Sequence, residues 1–475
     1  MLRLSLFLTF LLAGCATIQP QRAGDDLRAT LESRSDVPVV WRTTSEADSQ
    51  ADAAIAELLA DSLSADEAVQ VALLNNRYLQ ATYEDLGIAQ AALVQAGLLR
   101  NPVFGGRALW SLDEPAAPNF GFTAALDFLN VFALPLRKAV ARSEYEAARR
   151  RVANAVLDHA ARTRKAYTDA QADRLRMEMQ GRIVANAEAA YQAALLLREA
   201  GNIPPVDLLA EQTRFEAARL DLVRAELAVT ESREALAREM GVWGAQASFR
   251  LGGRLEPVPD AEPLAGDASS LDVAEIEHRA VEASLALVAA RADAEAIARR
   301  LGIGRLEAVL PDLEIGGELE RDEGEWEAGP EVHVVLPLFD QGQARQAAGW
   351  SELRRARARY EATIVDVRSA ARVLAARLAA TRQIALQYQR VLLDLGAELS
   401  AQTLREYNAM QTGVFGLLQA QQQEADAAQR YADALAAYWN VRTDLEALLQ
   451  GRMPDLGASG IASSESSAPM RDAGH

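Results

Sequence analysis

Apolar residues recur at every seventh position along parts of the stretch from Pro135 to Gly241. Within it, Arg137 to Ala200 has no proline and a single glycine, and good helix formers such as alanine, arginine, glutamate and leucine dominate. A break at Gly201–Pro205 separates this run from a second one that ends at Met240. The heptad positions of the second run are Leu208, Phe215, Leu222, Val229 and Leu236. The pattern predicts two long antiparallel helices joined by a short turn.

The second half of the chain repeats this pattern. Gln343 to Gln411 predicts another long helix, Gly413–Gly416 breaks it, and a further helical run follows. Leu208 corresponds to Leu417 with the same offset that relates Leu236 to Leu445. We therefore expect a tandem duplication of about two hundred residues, which is too long for an ordinary solenoid repeat.

Segments of alternating polarity precede each pair of long helices, at 102–130 and 311–339. Each contains two runs of about 9–11 residues around a turn, which predicts β-hairpins with strands long enough to cross a bilayer. One face of these strands is apolar and the other is acidic, as in a β-barrel wall between lipid and a water-filled lumen. The carboxylates expected to face the lumen are Asp127, Glu314, Glu318 and Glu320. Because four strands leave free edges, several chains should share one barrel, and three chains would supply twelve strands.

The N-terminus has the features of a bacterial lipoprotein signal. A short basic start and the apolar run Leu4–Leu12 lead into Leu12-Ala13-Gly14-Cys15, which matches the lipobox. In that class the signal is cut before the cysteine, whose thiol receives a diacylglycerol, and Cys15 is the single cysteine of the chain. Ala16 is not the aspartate associated with inner-membrane retention, so the outer membrane is the expected location. Residues 16–60 are polar, and we expect an irregular arm outside the core.

Composition and motif spacing argue against several other classes of protein. The formal net charge of -18 disfavours nucleic acid as a partner. No two of the four histidines have the spacing of metal ligands on a helix, so no metal site is expected. The isolated glycines form no phosphate-binding loop. We expect no enzymatic activity and no cofactor apart from the covalent lipid on Cys15.

Five stretches of the chain carry a resemblance to a known family: Leu63–Leu79, Gln90–Pro102, Leu126–Phe128, Leu336–Gly342 and Tyr407–Gln421. On these stretches, the chain from Leu63 to Gly451 resembles the TolC-type outer-membrane efflux protein family, in its lipoprotein branch. The resemblance implies a homotrimer in which a shared twelve-stranded outer-membrane β-barrel continues into a periplasmic α-barrel. It also implies that the trimer docks on a periplasmic adaptor (membrane fusion) protein and works with an inner-membrane pump of a tripartite efflux system.

The expected fold is mainly α with a small β part, arranged as two tandem repeats. The signal peptide would occupy 1–14 and the lipidated arm 15–62. The first repeat would span 63–254, with its β-hairpin at 102–130 and its long helical hairpin at 135–241. The second would span 255–452, with corresponding hairpins at 311–339 and 343–450. Residues 453–475 are expected to be a disordered tail.

The two helical turns point away from the strands, so both should lie at the periplasmic end, where an adaptor can dock. The docking residues we predict are Gly201, Asn202, Pro204, Pro205, Gly413, Val414, Phe415 and Gly416. Candidates for the periplasmic aperture are Gln419, Asp207, Glu211 and Glu424. The family often has an aspartate where this chain has Gln419, so a ring of carboxylates at that position is not expected.

The leading hypothesis is a passive exit duct that carries small molecules or ions out of the periplasm or from the pump. One alternative is the same fold serving type I protein secretion. Another is a periplasmic coiled-coil scaffold lipoprotein without a pore, although a scaffold would not need four amphipathic strands. Nothing in the sequence separates drugs, metal ions and polypeptides as cargo.

Overall fold

A computed structural model describes residues 20–32, 34, 40–110, 118–127, 129–262, 264, 272–309, 313–322, 325–334 and 338–454. The helices of the first part are α1 (Pro20–Glu32), α2 (Ser45–Ala60), α3 (Ala65–Asn75), α4 (Arg77–Ala96), α5 (Leu129–Glu199) and α6 (Pro205–Met240). Those of the second part are α7 (Val273–Ala283), α8 (Leu285–Val309), α9 (Gln343–Gln387), α10 (Leu393–Asn408) and α11 (Val414–Leu449), with a π-helical turn at Tyr388–Leu392. The strands are β1 (Ser62–Leu63), β2 (Val103–Leu109), β3 (Asn119–Asp127), β4 (Arg250–Leu251), β5 (Leu313–Asp322) and β6 (Glu325–Val334).

The expectation of a mainly helical fold with a small sheet part is confirmed. Two helices, two strands and a long helical hairpin follow one another in this order in each half of the chain. In the part of the chain described above, no helix is both long enough and apolar enough to cross a membrane.

The prediction that residues 16–60 form an irregular arm is wrong for both described helices, α1 and α2. Ala23, Leu27 and Leu31 lie on one face of α1 and are fully buried in a core cluster with residues of α4 and α5. Their spacing of four residues is helical, but the surrounding charged residues lower the mean hydropathy, so composition suggested an unfolded segment. Ile55 of α2 is also buried, in a second cluster.

Arg34, just after α1, binds the ends of two helices that are distant in sequence. Its guanidinium donates to the carbonyl of Ala283, at the end of α7, and to that of Gln450, 3.0 Å away after α11. Carbonyls at helix ends lack intrahelical partners, so a cation there supplies hydrogen bonds and a favourable charge. The N-terminal segment is thus tied to the second half of the chain.

In each of the two long helical hairpins, the two helices run antiparallel and pack against each other, as the heptad pattern predicts. In the first, the rings of Tyr191 and Phe215 stack with their centroids 5.9 Å apart, and Leu236 is fully buried. In the second, Leu374 and Leu378 of α9 share a core cluster with residues of α11. The burial of these apolar stripes stabilises helices that propensity alone would leave marginal.

A ladder of polar pairs joins α5 of the first hairpin to α11 of the second. Lys165 Nζ lies 2.8 Å from Asp444, and Asn440 donates to Asp169 at 2.7 Å. Arg176 of α5 then pairs with Asp433 at 2.6 Å. The four long segments therefore lie side by side in the order α6, α5, α11 and α9–α10.

The larger sheet has the strand order β2-β3-β5-β6, and each neighbouring pair is antiparallel. The strands fall within the predicted hairpins 102–130 and 311–339. Strands β1 and β4 form a separate parallel pair near the base of the first helical hairpin.

Candidate functional site: the sheet faces and the helical tips

The strand register places acidic side chains on one face of the sheet. Glu320 lies opposite Gly121 on β3 and Glu327 on β6, and Glu318 lies opposite Thr123. Arg107 of β2 lies in the same row as Glu320, with its guanidinium 2.8 Å from Glu320 and 3.7 Å from Glu318. This face, which we name the acidic face, also carries Glu331, whose carboxylate lies 2.7 Å from the His333 ring.

Two of the predicted lumen residues are placed by their backbone register. Asp127 pairs with Glu314, and Glu314 pairs with His333, so these three positions form one row of the acidic face. The backbone register therefore places the four predicted positions on the same face of the sheet. Arg107 was not assigned from the sequence, although its period-two position within 102–130 places it on this face.

The opposite face of the sheet is apolar and exposed. Phe122 and Trp326 stack at a centroid distance of 6.3 Å, and Ile315 pairs with Val332. Phe122 is 49 % exposed and Val332 is 58 % exposed. Arg321 is the cation on this face, at the end of the sheet, where its guanidinium lies 5.9 Å from the Trp326 ring.

The first helical tip has the turn that the sequence predicts at Gly201–Pro205. The N–H of Asn202 donates to the carbonyl of Leu197 at 2.8 Å, and that of Gly201 donates to Arg198 at 3.0 Å. This is a Schellman cap, which requires a left-handed residue, and Gly201 supplies it with φ +76. Pro204 precedes α6 and Pro205 is its first residue, where a missing N–H costs nothing.

The second tip lies earlier in the chain than predicted. The N–H of Gln411 donates to Glu406 at 2.8 Å and that of Met410 donates to Tyr407 at 2.9 Å, so the reversal occurs at Met410, with φ +59. Gly413 is the N-cap of α11, and Val414, Phe415 and Gly416 form its first turn. The placement of the turn at Gly413–Gly416 is therefore wrong.

The two glycines of the second tip do not reverse the chain, because Gly413 is the N-cap of α11 and Gly416 lies in its first turn. A Cβ on Gly416 would lie 2.8 Å from the hydroxyl oxygen of Thr412, so close packing favours glycine there. Met410 instead adopts the left-handed conformation that sequence reasoning assigns to glycine. Its side chain is 93 % exposed at the tip.

The four aperture candidates lie in different environments. Glu211 is buried and paired with Arg214 of its own helix at 3.2 Å, whereas Gln419 is exposed. Glu424 packs against Gly396 of α10, and Asp207 is half-buried in the first turn of α6. Among the described contacts, no hydrogen bond or ion pair links one of these four residues to another.

Cys15 and the predicted signal 1–14 lie outside the described residues, as does all of the predicted tail beyond Pro454. In the described part of the chain, no group of three or more histidine, cysteine, aspartate or glutamate residues could hold a metal ion. Sequence reasoning also missed the buried His159, whose Nδ1 lies 3.3 Å from Glu239.

Several solved structures share this arrangement of long helical hairpins and a small sheet. CusC, described by its transmembrane channel formation, has a TM-score of 0.62 and 17% identity, over 81% of this chain and 91% of that one. VceC, an outer membrane protein of Vibrio cholerae, has a TM-score of 0.62 and 17% identity, over 82% of this chain and 97% of that one. CmeC, an outer membrane channel of Campylobacter jejuni, has a TM-score of 0.61 and 16% identity, over 88% of this chain and 90% of that one. The fold is thus that of outer-membrane channel proteins.

Residues 68–242 match the family described as outer membrane efflux protein. Over these residues the predicted resemblance to outer-membrane efflux proteins is confirmed, and its lipoprotein branch stays a prediction. That family consists of transport ducts and not enzymes, in agreement with the expectation for this chain. No curated protein sequence matches the chain.

Proposed function

We propose that this protein is the outer-membrane exit duct of a tripartite efflux system and that it acts as a homotrimer. The observation that carries the proposal is that the chain has two open sides. Strands β2 and β6 are the outer strands of the sheet, and within the described residues neither has a second neighbour. Helices α6 and α9–α10 are likewise the two outermost segments of the helical layer.

If the first open side of each copy contacted the second open side of the next copy, the copies would form a closed ring. Such head-to-tail contacts form rings when the rotation closes, and three copies would give a twelve-stranded barrel above twelve helical segments. The apolar face of the sheet, with Phe122 and Val332, would contact lipid. The acidic face, with Glu318 and Glu320, would line the aqueous exit.

The tips at Gly201–Pro205 and Ala409–Gly413 would lie at the periplasmic end, where a periplasmic adaptor and an inner-membrane pump would engage. The likeness to outer-membrane channels supports this orientation. The lipobox supports a lipid on Cys15, which would add an anchor to the outer membrane of a Gram-negative bacterium. An auxiliary anchor is compatible with a barrel that inserts by itself.

The function is tested by measuring the conductance of the purified protein in planar lipid bilayers. Two variants at neighbouring positions of β3, Phe122 and Thr123, test the assignment of the two faces of the sheet. We expect discrete conductance from the natural protein. Phe122→Arg should lose membrane insertion, because a mid-membrane arginine on the lipid face costs about 2–4 kcal/mol. Thr123→Arg, on the acidic face, should insert. Absence of conductance in the natural protein would contradict the duct, and equal insertion of both variants would contradict the assignment of faces.

A further inference from the structure

Helix α10 has an apolar stripe that turns away from its own hairpin. Leu392, which ends the π turn, and Leu395 and Leu399 of α10 are 37%, 55% and 47% exposed. In the preceding helix α9, by contrast, Leu374, Leu378 and Ala385 face α11 and are buried at heptad spacing. If that heptad continued without interruption, Leu392, Leu395 and Leu399 would also face α11.

The π turn at Tyr388–Leu392 accounts for the change of face. A π turn contains one residue more than the α-helical turn it replaces, so the face that follows is shifted by one position. Beyond the turn, the half-buried positions are Leu393, Gly396, Ser400 and Thr403, each one residue later than the heptad of α9 would place them. The corresponding helix α5 is a single α-helix from Leu129 to Glu199.

Two of the inward positions after the π turn are small residues that face α11. At Gly396, a Cβ would lie 3.5 Å from the Cα of Glu424 on α11. The nearby inward residue Ser400 is also small. The π turn therefore places Gly396 and Ser400 on the inward side of α10 and leaves Leu392, Leu395 and Leu399 exposed.

A strap between the two halves of the chain, Arg254–Glu262, is bound to the π turn. The side chain of Gln389 accepts a hydrogen bond from the N–H of Val258 at 2.9 Å and one from the Tyr431 hydroxyl at 3.1 Å. Arg390 pairs with Asp260 of the strap at 2.6 Å. Val258 is buried in the core cluster of the second hairpin. These contacts hold the strap against both the π turn and α11.

Helix α6, on the other open side of the chain, has an exposed apolar stripe of its own. Its members are Val206, Leu209, Leu220, Val223 and Leu227, each between 56% and 65% exposed. They follow heptad spacing and are distinct from the positions of α6 that face α5, such as Phe215 and Leu236. Both return helices, α6 and α11, contain 36 residues, which favours tips at the same level.

We infer that the π turn, held by the strap, presents the leucine stripe of α10 to the stripe of α6 in a second copy of this chain. The inference rests on the proposed trimer and names its helical interface. Counted from the two tips, Leu220 and Leu392 lie at similar heights, so they should meet across the interface. Heptad stripes on two adjacent helices can interlock as knobs into holes.

The interface is tested by oxidative cross-linking of the full-length protein in membranes. The chain has a single natural cysteine, Cys15, in the lipobox, so the introduced pair Leu220→Cys and Leu392→Cys would supply the reactive thiols. We expect linked dimers and trimers from this pair. The matched control, Leu220→Cys with Asp394→Cys, places the second thiol two residues on, about 200° around the helix, and should give about tenfold less product.

A second measurement separates the role of the π turn from that of the leucines. Gln389→Leu removes the hydrogen bonds to Val258 and Tyr431 and should lower the yield of the Leu220–Leu392 cross-link several-fold. Arg372→Ala, which removes an ion pair to Glu277 on α7 but leaves the strap intact, should not change it.

Equal cross-linking of the test and control pairs in an intact trimer would overturn the interface while leaving the duct in place. A monomeric natural protein would overturn the proposed trimer, and the interface with it. An unchanged cross-link in Gln389→Leu would overturn the role of the strap.

Discussion

Oε2 of Glu239 lies 3.3 Å from Nδ1 of the buried His159, and this pair joins the end of α6 to the middle of α5. Arg162 contacts the same carboxylate at 3.4 Å. The hydrogen bond from His159 is the main cause that lowers the pKa of Glu239 below its ordinary value, and the charge of Arg162 adds to it. The pair closes the base of the first helical hairpin.

The lowered pKa of Glu239 predicts a dependence of stability on pH. A carboxyl group with a depressed pKa in the folded state contributes stability above its unfolded pKa of about 4.3, and this contribution is lost as the pH falls through the folded value. We expect Glu239→Gln to lower the melting temperature at pH 7 and the difference to shrink as the pH falls below about 4.3. Thermal unfolding of both proteins across this range measures the effect. A constant difference at all pH values would contradict it.

The buried face of α5 predicts a large effect of side-chain truncation. Leu157 is 1% exposed in the cluster that includes residues of α1 and α4. Leu157→Ala should destabilise the fold by about 2–5 kcal/mol, because it removes buried methyl groups and leaves a cavity. Leu196→Ala on the same helix, at a side chain that is 68% exposed, should change stability by less than about 0.5 kcal/mol. Similar losses at both sites in chemical denaturation would contradict the assignment of the core.

Substitution of the two arginines in the described sheet would test which face lines the proposed aqueous exit. Arg107 lies on the acidic face and Arg321 on the apolar face. If the acidic face lines the lumen, Arg107→Gln should increase the preference of the channel for cations, because it removes a positive charge beside Glu318 and Glu320. Arg321→Gln should leave the preference unchanged. Reversal potentials in a salt gradient measure both, and a shift caused by Arg321→Gln alone would reverse the assignment.

Much of the fold was predictable because it rests on periodic patterns. The long helices follow from heptads such as Leu208–Leu236, and the strands from alternation around Glu318 and Phe122. These patterns are local consequences of helix and strand geometry. The helix α1 was missed because only three buried apolar residues, among them Leu27, mark its apolar face within a charged segment.

The remaining features depend on tertiary contacts that no local pattern records. The π turn is held by hydrogen bonds between its Gln389 and Val258, two residues that are far apart in sequence. His159 is buried by packing of α5 against α6 rather than by any motif. The left-handed residue of the second tip is Met410, although Gly413 stands three positions later, because the hydrogen bonds that end α10 select the position of the cap.

Met410 combines an unfavourable backbone with an exposed apolar side chain, which predicts opposite effects on stability and on binding. A residue with a Cβ in the left-handed region costs about 1–2 kcal/mol relative to glycine. Met410→Gly should therefore raise the stability of the second hairpin by about 1 kcal/mol. Met410→Ala retains the Cβ and is the matched control, since it removes the side chain without relieving the backbone.

If the tip docks an adaptor through this exposed side chain, both variants should bind the adaptor more weakly than the natural protein. Thermal unfolding of the purified protein and adaptor binding in detergent measure the two effects separately. A glycine variant no more stable than the alanine variant would contradict the strain at Met410. Unchanged adaptor binding in both variants would instead show that the tip contact does not involve this side chain. A gain in stability together with a loss of binding would indicate that the strained conformation is kept because it presents Met410 to the partner.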